Sequence, residues 1–259
     1  MPLRVHLVAG FNGGSGRTLT AALLAYGFHL QARRTLLVRQ TYAGSVSAID
    51  PIGATLPLPC CELSLPKPYE LPADLTAGLA TTIHDADGRF MTALTDLATA
   101  EIGADGDVVV DLCCHERACN AATIRYGAVI LVPVRASVLE IDWAVRSFSH
   151  ILDSQRYRDT PVPTLLAAIA PDSERAGQTA FLSGMLRDFD PEREFVPDEP
   201  REVIVEVPFL DGASLTALLI ERPIWQDPTL FERCRIFAAA VALHADACMT
   251  VPTEDADDL

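Results

Sequence analysis

The chain has 259 residues, of which 49% are hydrophobic, so it can bury one substantial core. Acidic residues outnumber basic ones by 35 to 20, and the net charge of −15 repels nucleic acid and anionic membranes at long range. Contact with DNA would therefore require a local basic patch. We interpret residues 1–249 as one domain and predict that the acidic residues 250–259 form a disordered tail.

The sequence shows neither a membrane span nor a secretion signal. No apolar run reaches the roughly 18 residues that a transmembrane helix requires. The first nine residues lack the basic start and the cleavage site of a signal peptide. The seven cysteines are odd in number and unevenly spaced, which argues against a disulfide framework. These features predict a cytoplasmic protein with reduced thiols.

The first 40 residues follow a strand, glycine loop, helix and strand pattern. Leu3–Ala9 is short and apolar, as expected of a buried strand, and Leu19–Leu30 has helical spacing. Thr35–Val38 is a second apolar run. The short crossover between the two runs predicts a βαβ unit with parallel strands.

The alternation of strands and helices continues to the end of the chain. Ala43–Ala73 is rich in proline and predicts mostly irregular structure, in which Leu56–Leu63 could add a short strand. Asp74–Ile102 predicts a helix interrupted around Asp85–Gly88. Further strands are predicted at Asp107–Leu112, Ala128–Val134, Pro163–Ala170 and Glu202–Val207, and further helices at Ser137–Arg156, Ser173–Asp188, Gly212–Glu221 and Thr229–Cys248. The pattern predicts an α/β fold with a mainly parallel sheet covered on both faces, which binds ligands at the carboxyl ends of its strands.

The glycine loop Gly10–Thr20 reads GFNGGSGRTLT and is a candidate anion cradle. Close glycines let the backbone N–H groups turn inward around a phosphate, and the following helix presents its positive end. A standard P-loop, G-x-x-x-x-G-K-[ST], ends in lysine and a hydroxyl residue. Here Ala9 or Gly10 leads to Gly16, Arg17 and Thr18, so the lysine is missing. The alternative is a glycine turn that only lets strand and helix pack closely.

The loop and its surroundings resemble a known family. NGGSGRTLTAALLAYGFHL followed by TLLV is similar to the deviant Walker A segment, KGGxGK[ST]T, and the second strand of ParA/MinD-type ATPases. The segment VVVDLCCHERACNAATIRYGAVILVPVRASVLEID resembles the family's strand ending in aspartate, with the helix and strand that follow. EVPFLDGASLTALLIERPIWQDP resembles the closing strand and helix. The resemblance implies a P-loop NTPase fold.

The resemblance also implies which residues bind nucleotide. Around the phosphates of ATP it places Gly13, Gly14, Ser15, Gly16, Arg17, Thr18 and Leu19. Thr18 would contact Mg²⁺, and Asp111 would hold that ion through water. Asp111 could instead cap the next helix or simply end its strand.

Several residues that the family uses for hydrolysis are replaced. Asn12 stands where the family has its signature lysine, and Arg17 replaces the lysine that contacts the β- and γ-phosphates. Arginine keeps the charge but differs in size and hydration. Where the family usually has aspartates after its second strand, this chain has Arg39, Gln40 and Thr41. Because phosphoryl transfer depends on positioned metal, water and charge, we expect at most a weak ATPase.

Two other groups of residues are less specific. Cys113, Cys114, His115 and Cys119 carry zinc-ligand chemistry, but adjacent cysteines point apart and no second C-x-x-C pair exists, which favours packed thiols. Arg33, Arg34 and Arg39 cluster near the second strand. They could contact a phosphate or DNA, although a solvated turn explains them more simply.

The resemblance implies a homodimeric switch that binds ATP and Mg²⁺ and contacts DNA and a partner protein in plasmid partition. The segment from Asp111 through SVLEIDWAVRSFSHILDS is most similar to the branch of VirC-type conjugal-transfer proteins. The alternative is a nucleotide-independent scaffold, a pseudo-ATPase in a secretion, conjugation or polysaccharide-export assembly. A third class, an enzyme of the dethiobiotin synthetase kind, is disfavoured because the P-loop lysine and an obvious substrate carboxylate pair are missing.

Overall fold

The computed structural model describes residues 3–10, 15–42, 51–65, 79–112, 121–156, 158, 160–188 and 203–249. Within them, seven strands form one sheet in which every neighbouring pair is parallel. The strands are β1 (Arg4–Val8), β2 (Thr35–Tyr42), β3 (Cys60–Leu65), β4 (Asp107–Asp111), β5 (Val129–Arg135), β6 (Thr164–Ile169) and β7 (Ile204–Glu206). Their spatial order is β3-β2-β4-β1-β5-β6-β7, which places β1 and the loop after it near the centre.

Helices cover both faces of the sheet. One face carries α1 (Arg17–Leu30), α2 (Pro51–Thr55), α7 (Gly212–Leu219) and α8 (Pro228–Met249). The other carries α3 (Leu79–Ile102), α4 (Ala121–Ile124), α5 (Val138–Ser154) and α6 (Asp172–Asp188). Each face buries its own hydrophobic core against the aliphatic strands, so the predicted α/β class is confirmed. No helix among the described residues is long and apolar enough to cross a membrane.

Three predicted boundaries are wrong. β2 continues to Tyr42 instead of ending at Val38, because its last residues pair with β3. A short helix, α2, forms where irregular chain was expected, and β3 begins four residues later than predicted. Helix α3 runs without a break through Gly88, since one glycine costs only about 1 kcal/mol in a helix this long. The predicted tail, residues 250–259, lies outside the described residues.

Helix α1 is held between the sheet and α8. At Gly27 the two helices approach so closely that a Cβ atom would overlap the carbonyl oxygen of Cys234 and lie 2.7 Å from Cβ of Ala238. The hydroxyl of Tyr26 donates a hydrogen bond to the carbonyl of Trp225, and their rings pack 5.0 Å apart. These contacts fix the position of the helix that follows the glycine loop.

At the amino edge of the sheet, His6 lies in a buried network with Asp107. Nε2 of His6 is 2.7 Å from Oδ1 of Asp107, and the Asp107 carboxylate also accepts from Arg33, whose Nε is 2.6 Å from Oδ2. The Arg33 guanidinium stacks 4.4 Å above the ring of Phe28, which also contacts the His6 ring. Burial lowers the pKa of His6, and the charges of Arg33 and Arg4 act in the same direction, although Asp107 raises it.

We expect the substitution Gly27→Ala to destabilise the protein by at least about 1–3 kcal/mol, because the added methyl group forces α1 and α8 apart. The matched control is Gly177→Ala in α6, where a Cβ would meet no atom within 4 Å. That variant should be more stable by about 0.5–1 kcal/mol, since alanine is the better helix former. Urea denaturation measures the free energy of unfolding of both variants. Equal changes in Gly27→Ala and Gly177→Ala would contradict the described packing of α1 against α8.

The His6 network predicts a loss of stability in mild acid. The folded protein binds the His6 proton less readily than the unfolded chain does, so unfolding takes up a proton as the pH falls below about 6.5. The free energy of unfolding should therefore decrease by at most about 1.4 kcal/mol per pH unit between pH 6.5 and 5.5 from this residue. In His6→Gln the free energy of unfolding should fall less steeply between pH 6.5 and 5.5 than in wild type. In the control His29→Gln, at an exposed site, it should fall as in wild type. Urea denaturation at several pH values measures both.

Candidate functional site

The turn from β1 into α1 requires glycine at position 16. Gly16 precedes α1 with φ 88° and ψ 13°, the left-handed region that side chains disfavour. A Cβ atom there would also lie 2.8 Å from Cδ1 of Ile169 at the end of β6. The conformation and the lack of space together explain the glycine that the sequence places before Arg17.

The amino end of α1 is open. Gly16 offers no side-chain cap, whereas the side chains of Ser137 and Asp211 cap α5 and α7 by accepting from backbone N–H groups. Among the described residues, no side chain caps the first N–H groups of α1, and such groups bind anions. The hydroxyl of Ser15, which is only 9% exposed, also has no hydrogen-bond partner among the described residues. A buried hydroxyl without a partner is costly, and a ligand oxygen would satisfy it.

Thr18 and Asp111 meet across the start of α1 and the end of β4. The Thr18 hydroxyl donates to Oδ2 of Asp111 at 2.7 Å. Asp111 is the last residue of its strand, as predicted, and is 6% exposed. The structure thus brings together the two residues that the sequence resemblance assigned to the metal side of the site.

Arg17 folds back over the end of the sheet. Its Nη1 donates to the carbonyl oxygen of Leu112 at 2.5 Å, immediately after Asp111. Its aliphatic stem runs over Gly10, where a Cβ would lie 3.6 Å from Cδ of Arg17. The guanidinium is therefore held at the carboxyl end of β4 by a backbone group that sequence reasoning did not identify.

The predicted cluster of Arg33, Arg34 and Arg39 does not form. Arg33 pairs with Asp107 and Arg34 with Asp105, both at the amino end of β2. Arg39 lies near the other end of the strand, which puts it roughly 15–20 Å from them at about 3.3 Å per residue. The cause is the extra length of β2, which separates the arginines instead of turning after Val38.

Arg39 instead belongs to the edge of the sheet that carries the glycine loop. Its Cα is the partner of Asp111 on β4 and of Glu62 on β3. Side chains paired in this way point to the same face of a parallel sheet. Because Leu37 and Val109 on that face pack in the core beneath α1, Arg39 and Asp111 both face the side of α1.

These residues fit the phosphate chain of a nucleotide. Within the described part of the chain, α1 has no side-chain cap and the Ser15 hydroxyl has no partner, and both features suit an anion, as does the backbone conformation at Gly16. A hydroxyl and a carboxylate are oxygen ligands of the kind Mg²⁺ prefers, so Thr18 and Asp111 are the groups that would hold that ion. Leu19 is half-buried and packs into the core beneath α1.

Some predicted site residues lie outside the described part of the chain. Asn12, Gly13 and Gly14 fall in residues 11–14, and the cysteines at 113, 114 and 119 with His115 fall in residues 113–120. Their assignments stay predictions. Among the described cysteines, Cys60, Cys61 and Cys234 carry free thiols.

Comparison with solved structures identifies the fold. No family model matches the chain, and no curated protein matches its sequence. Solved structures do match: McdA from Cyanothece in an ATP complex has 15% identity and a TM-score of 0.54 over 93% of this chain and 96% of that one. The MinD cell division protein of Aquifex aeolicus has 14% identity and a TM-score of 0.51 over 92% and 97%. The chain has the fold of the ParA/MinD-type P-loop ATPases.

The same fold also supports biosynthetic chemistry. Cobyrinic acid a,c-diamide synthase from Mycobacterium smegmatis, with bound ADP and magnesium, has 18% identity and a TM-score of 0.52 over 95% of this chain and 96% of that chain. At such identities the similarity to ParA/MinD-type proteins establishes the fold alone. Function has to be argued from the residues at the end of β1, β2 and β4.

We expect Gly16→Ala to cost about 1–2 kcal/mol of stability through its backbone conformation, plus a steric penalty against Ile169. Ile169→Val removes Cδ1, the atom in the way, and by itself should cost about 0.5–1.5 kcal/mol. In a double-mutant cycle the two substitutions should couple, with the double variant more stable than the sum predicts. Strict additivity in thermal denaturation would contradict the described contact.

Proposed function

We propose that this protein is a ParA-like, nucleotide-dependent partition or positioning protein, or a DNA-transfer accessory protein, with a degenerate ATPase site. The observation that carries the proposal is the Thr18–Asp111 hydrogen bond at the open amino end of α1. A glycine turn needed only for packing explains neither this pair nor the unpaired hydroxyl of Ser15. Both features are explained by a nucleotide phosphate chain in the loop.

The residues around the loop divide the work of binding. Backbone N–H groups at the start of α1 and the Ser15 hydroxyl donate to phosphate oxygens. Arg17 supplies a permanent positive charge beside them. When bound, Mg²⁺ would neutralise part of the phosphate charge. The hydrogen bond between Thr18 and Asp111 keeps the hydroxyl and the carboxylate oriented to hold that ion. In the sequence, Gly13 and Gly14 complete the glycine loop.

Hydrolysis should be slow. Arg17 and Asn12 replace both lysines of the family's loop, and Arg39 stands where an aspartate would help to organise the attacking water. Each such group contributes through its position and charge, so the losses multiply in the rate. The site is suited to hold a nucleotide for long periods, which is compatible with a switch whose state changes through partners.

The biological role follows from the family's mode of action. A homodimer that closes around nucleotide would present a DNA-binding surface and contact a partner protein of a partition or transfer complex. The structural neighbours support this general class, since they include ParA and MinD proteins. With a net charge of −15, the chain would bind DNA through a local surface and with strong salt dependence.

The alternative is a nucleotide-independent scaffold. One observation favours it: Arg17 already has a backbone partner in Leu112, so the loop has an internal partner for its charge without a ligand. Exposed Val138, Leu139 and Trp143 on α5 would serve protein contacts in either case. The two proposals differ in one respect, which is whether nucleotide binds.

Calorimetric titration of ATP with Mg²⁺ into the protein distinguishes the nucleotide-dependent protein from the nucleotide-independent scaffold. We expect wild type to bind. Thr18→Val keeps the side-chain shape but removes a hydroxyl donor from the Asp111 carboxylate, which leaves that negative charge less compensated beside the phosphates. This variant should bind at least about tenfold more weakly, a loss of about 1.4 kcal/mol. Thr92→Val is the matched control, because Thr92 bonds only to its own helix at the Gly88 carbonyl and should leave affinity unchanged.

Light scattering and DNA binding on the same samples separate the roles. A monomer-to-dimer change with ATP, followed by duplex DNA binding at low salt, supports the partition or transfer role. Absence of ATP binding by wild type would contradict the proposal and leave the scaffold. Binding of ATP without DNA binding in any nucleotide state would contradict the DNA role alone.

A further inference from the structure

Two arginines lie near the buried carboxylate of Asp111 at the carboxyl end of the sheet. Arg39 is half-buried on β2 and is the Cα partner of Asp111, with both side chains on the α1 side of the sheet. Arg17 arrives from the other direction and donates to the carbonyl of Leu112, the residue after Asp111. The carboxylate that would accompany a divalent cation therefore has arginines on the neighbouring strand and in the loop.

The position of Glu62 does not cancel this arrangement. Glu62 is the Cα partner of Arg39 on the outer strand β3, so the row across the sheet reads Glu62, Arg39, Asp111. Glu62 is exposed, and water and salt screen its charge. Asp111 is buried beside Thr18, so solvent screens the charges next to it much less. Arg39 is therefore the cation next to Asp111 in this row, and Arg17 adds a second positive charge from the start of α1.

Guanidinium groups can do part of the work of a metal ion on a phosphate chain. Arginine is always charged, and its planar fork donates two parallel N–H bonds to phosphate oxygens. A fixed cation beside Asp111 also opposes the entry of a second, divalent cation by Coulomb repulsion. A site with such a cation attracts phosphate and has a reduced need for Mg²⁺.

We propose that this site binds nucleoside triphosphate without requiring Mg²⁺, with Arg39 supplying beside Asp111 the charge that the metal would otherwise bring. The inference rests on the proposed nucleotide binding and concerns which cation accompanies the nucleotide. It assigns Arg39 as a phosphate-binding residue. It also makes nucleotide occupancy independent of the magnesium concentration.

The test is calorimetric titration of ATP into wild type and variants, once with Mg²⁺ and once with EDTA. For wild type we expect affinities within about threefold of each other. Arg39→Gln should become metal-dependent and bind ATP at least tenfold more weakly in EDTA than with Mg²⁺. Arg39→Lys keeps the charge, so its ATP affinity should stay the same with Mg²⁺ and with EDTA. If Arg39→Gln does not fold, Arg39→Lys and wild type are the proteins compared. Arg235→Gln removes an exposed arginine from α8 and should behave as wild type.

The outcomes separate this inference from the proposed function. A wild-type loss of tenfold or more in EDTA, with tight binding when Mg²⁺ is present, overturns the inference and leaves the nucleotide site standing. Metal-independent binding that persists in Arg39→Gln overturns the assignment to Arg39. If wild type binds ATP in neither condition, the proposed function fails and the inference fails with it.

Discussion

The structure of the site depends on the sharp turn at Gly16. The chain leaves the central strand β1, turns at Gly16 in a left-handed conformation against Ile169, and enters α1 at once. A side chain would not fit there, and the first turn of α1 lies at the end of β4. That position brings Thr18 to Asp111 and Arg17 to the Leu112 carbonyl. The hydrogen bonds of Arg17 and Thr18 therefore depend on where α1 begins.

The rest of the protein keeps α1 in place. Gly27 lets α8 approach to backbone contact, Tyr26 is tied to Trp225, and Phe28 packs on His6. The amino edge of the sheet carries the paired charges of Asp107 and Arg33. The carboxyl edge carries a helix end without a side-chain cap and the buried Ser15 hydroxyl, which has no partner among the described residues. A helix amino end and a hydroxyl donor at the carboxyl edge suit that edge to an anionic ligand.

Much of the architecture could be predicted because aliphatic strands and amphipathic helices alternate strongly along the chain. The apolar run predicted a strand to Leu112, and the family resemblance placed Asp111 at the strand end, where β4 stops. Arg39 was misplaced because polar residues after Val38 look like a turn, and only the pairing with β4 and β3 shows that the strand continues. The His6–Asp107 contact joins residues 101 positions apart, which no local pattern reveals. The roles of Gly13 and Gly14 remain predictions of the sequence resemblance.

The central claim is that the loop, Thr18 and Asp111 form one phosphate-binding unit. Hydrogen exchange of backbone amides, followed by mass spectrometry with and without saturating ATP, tests it most directly. The account predicts increased protection in residues 15–20 and at the end of β4, because the ligand engages those groups together. Saturation with ATP that leaves both segments unchanged and protects another surface would contradict it.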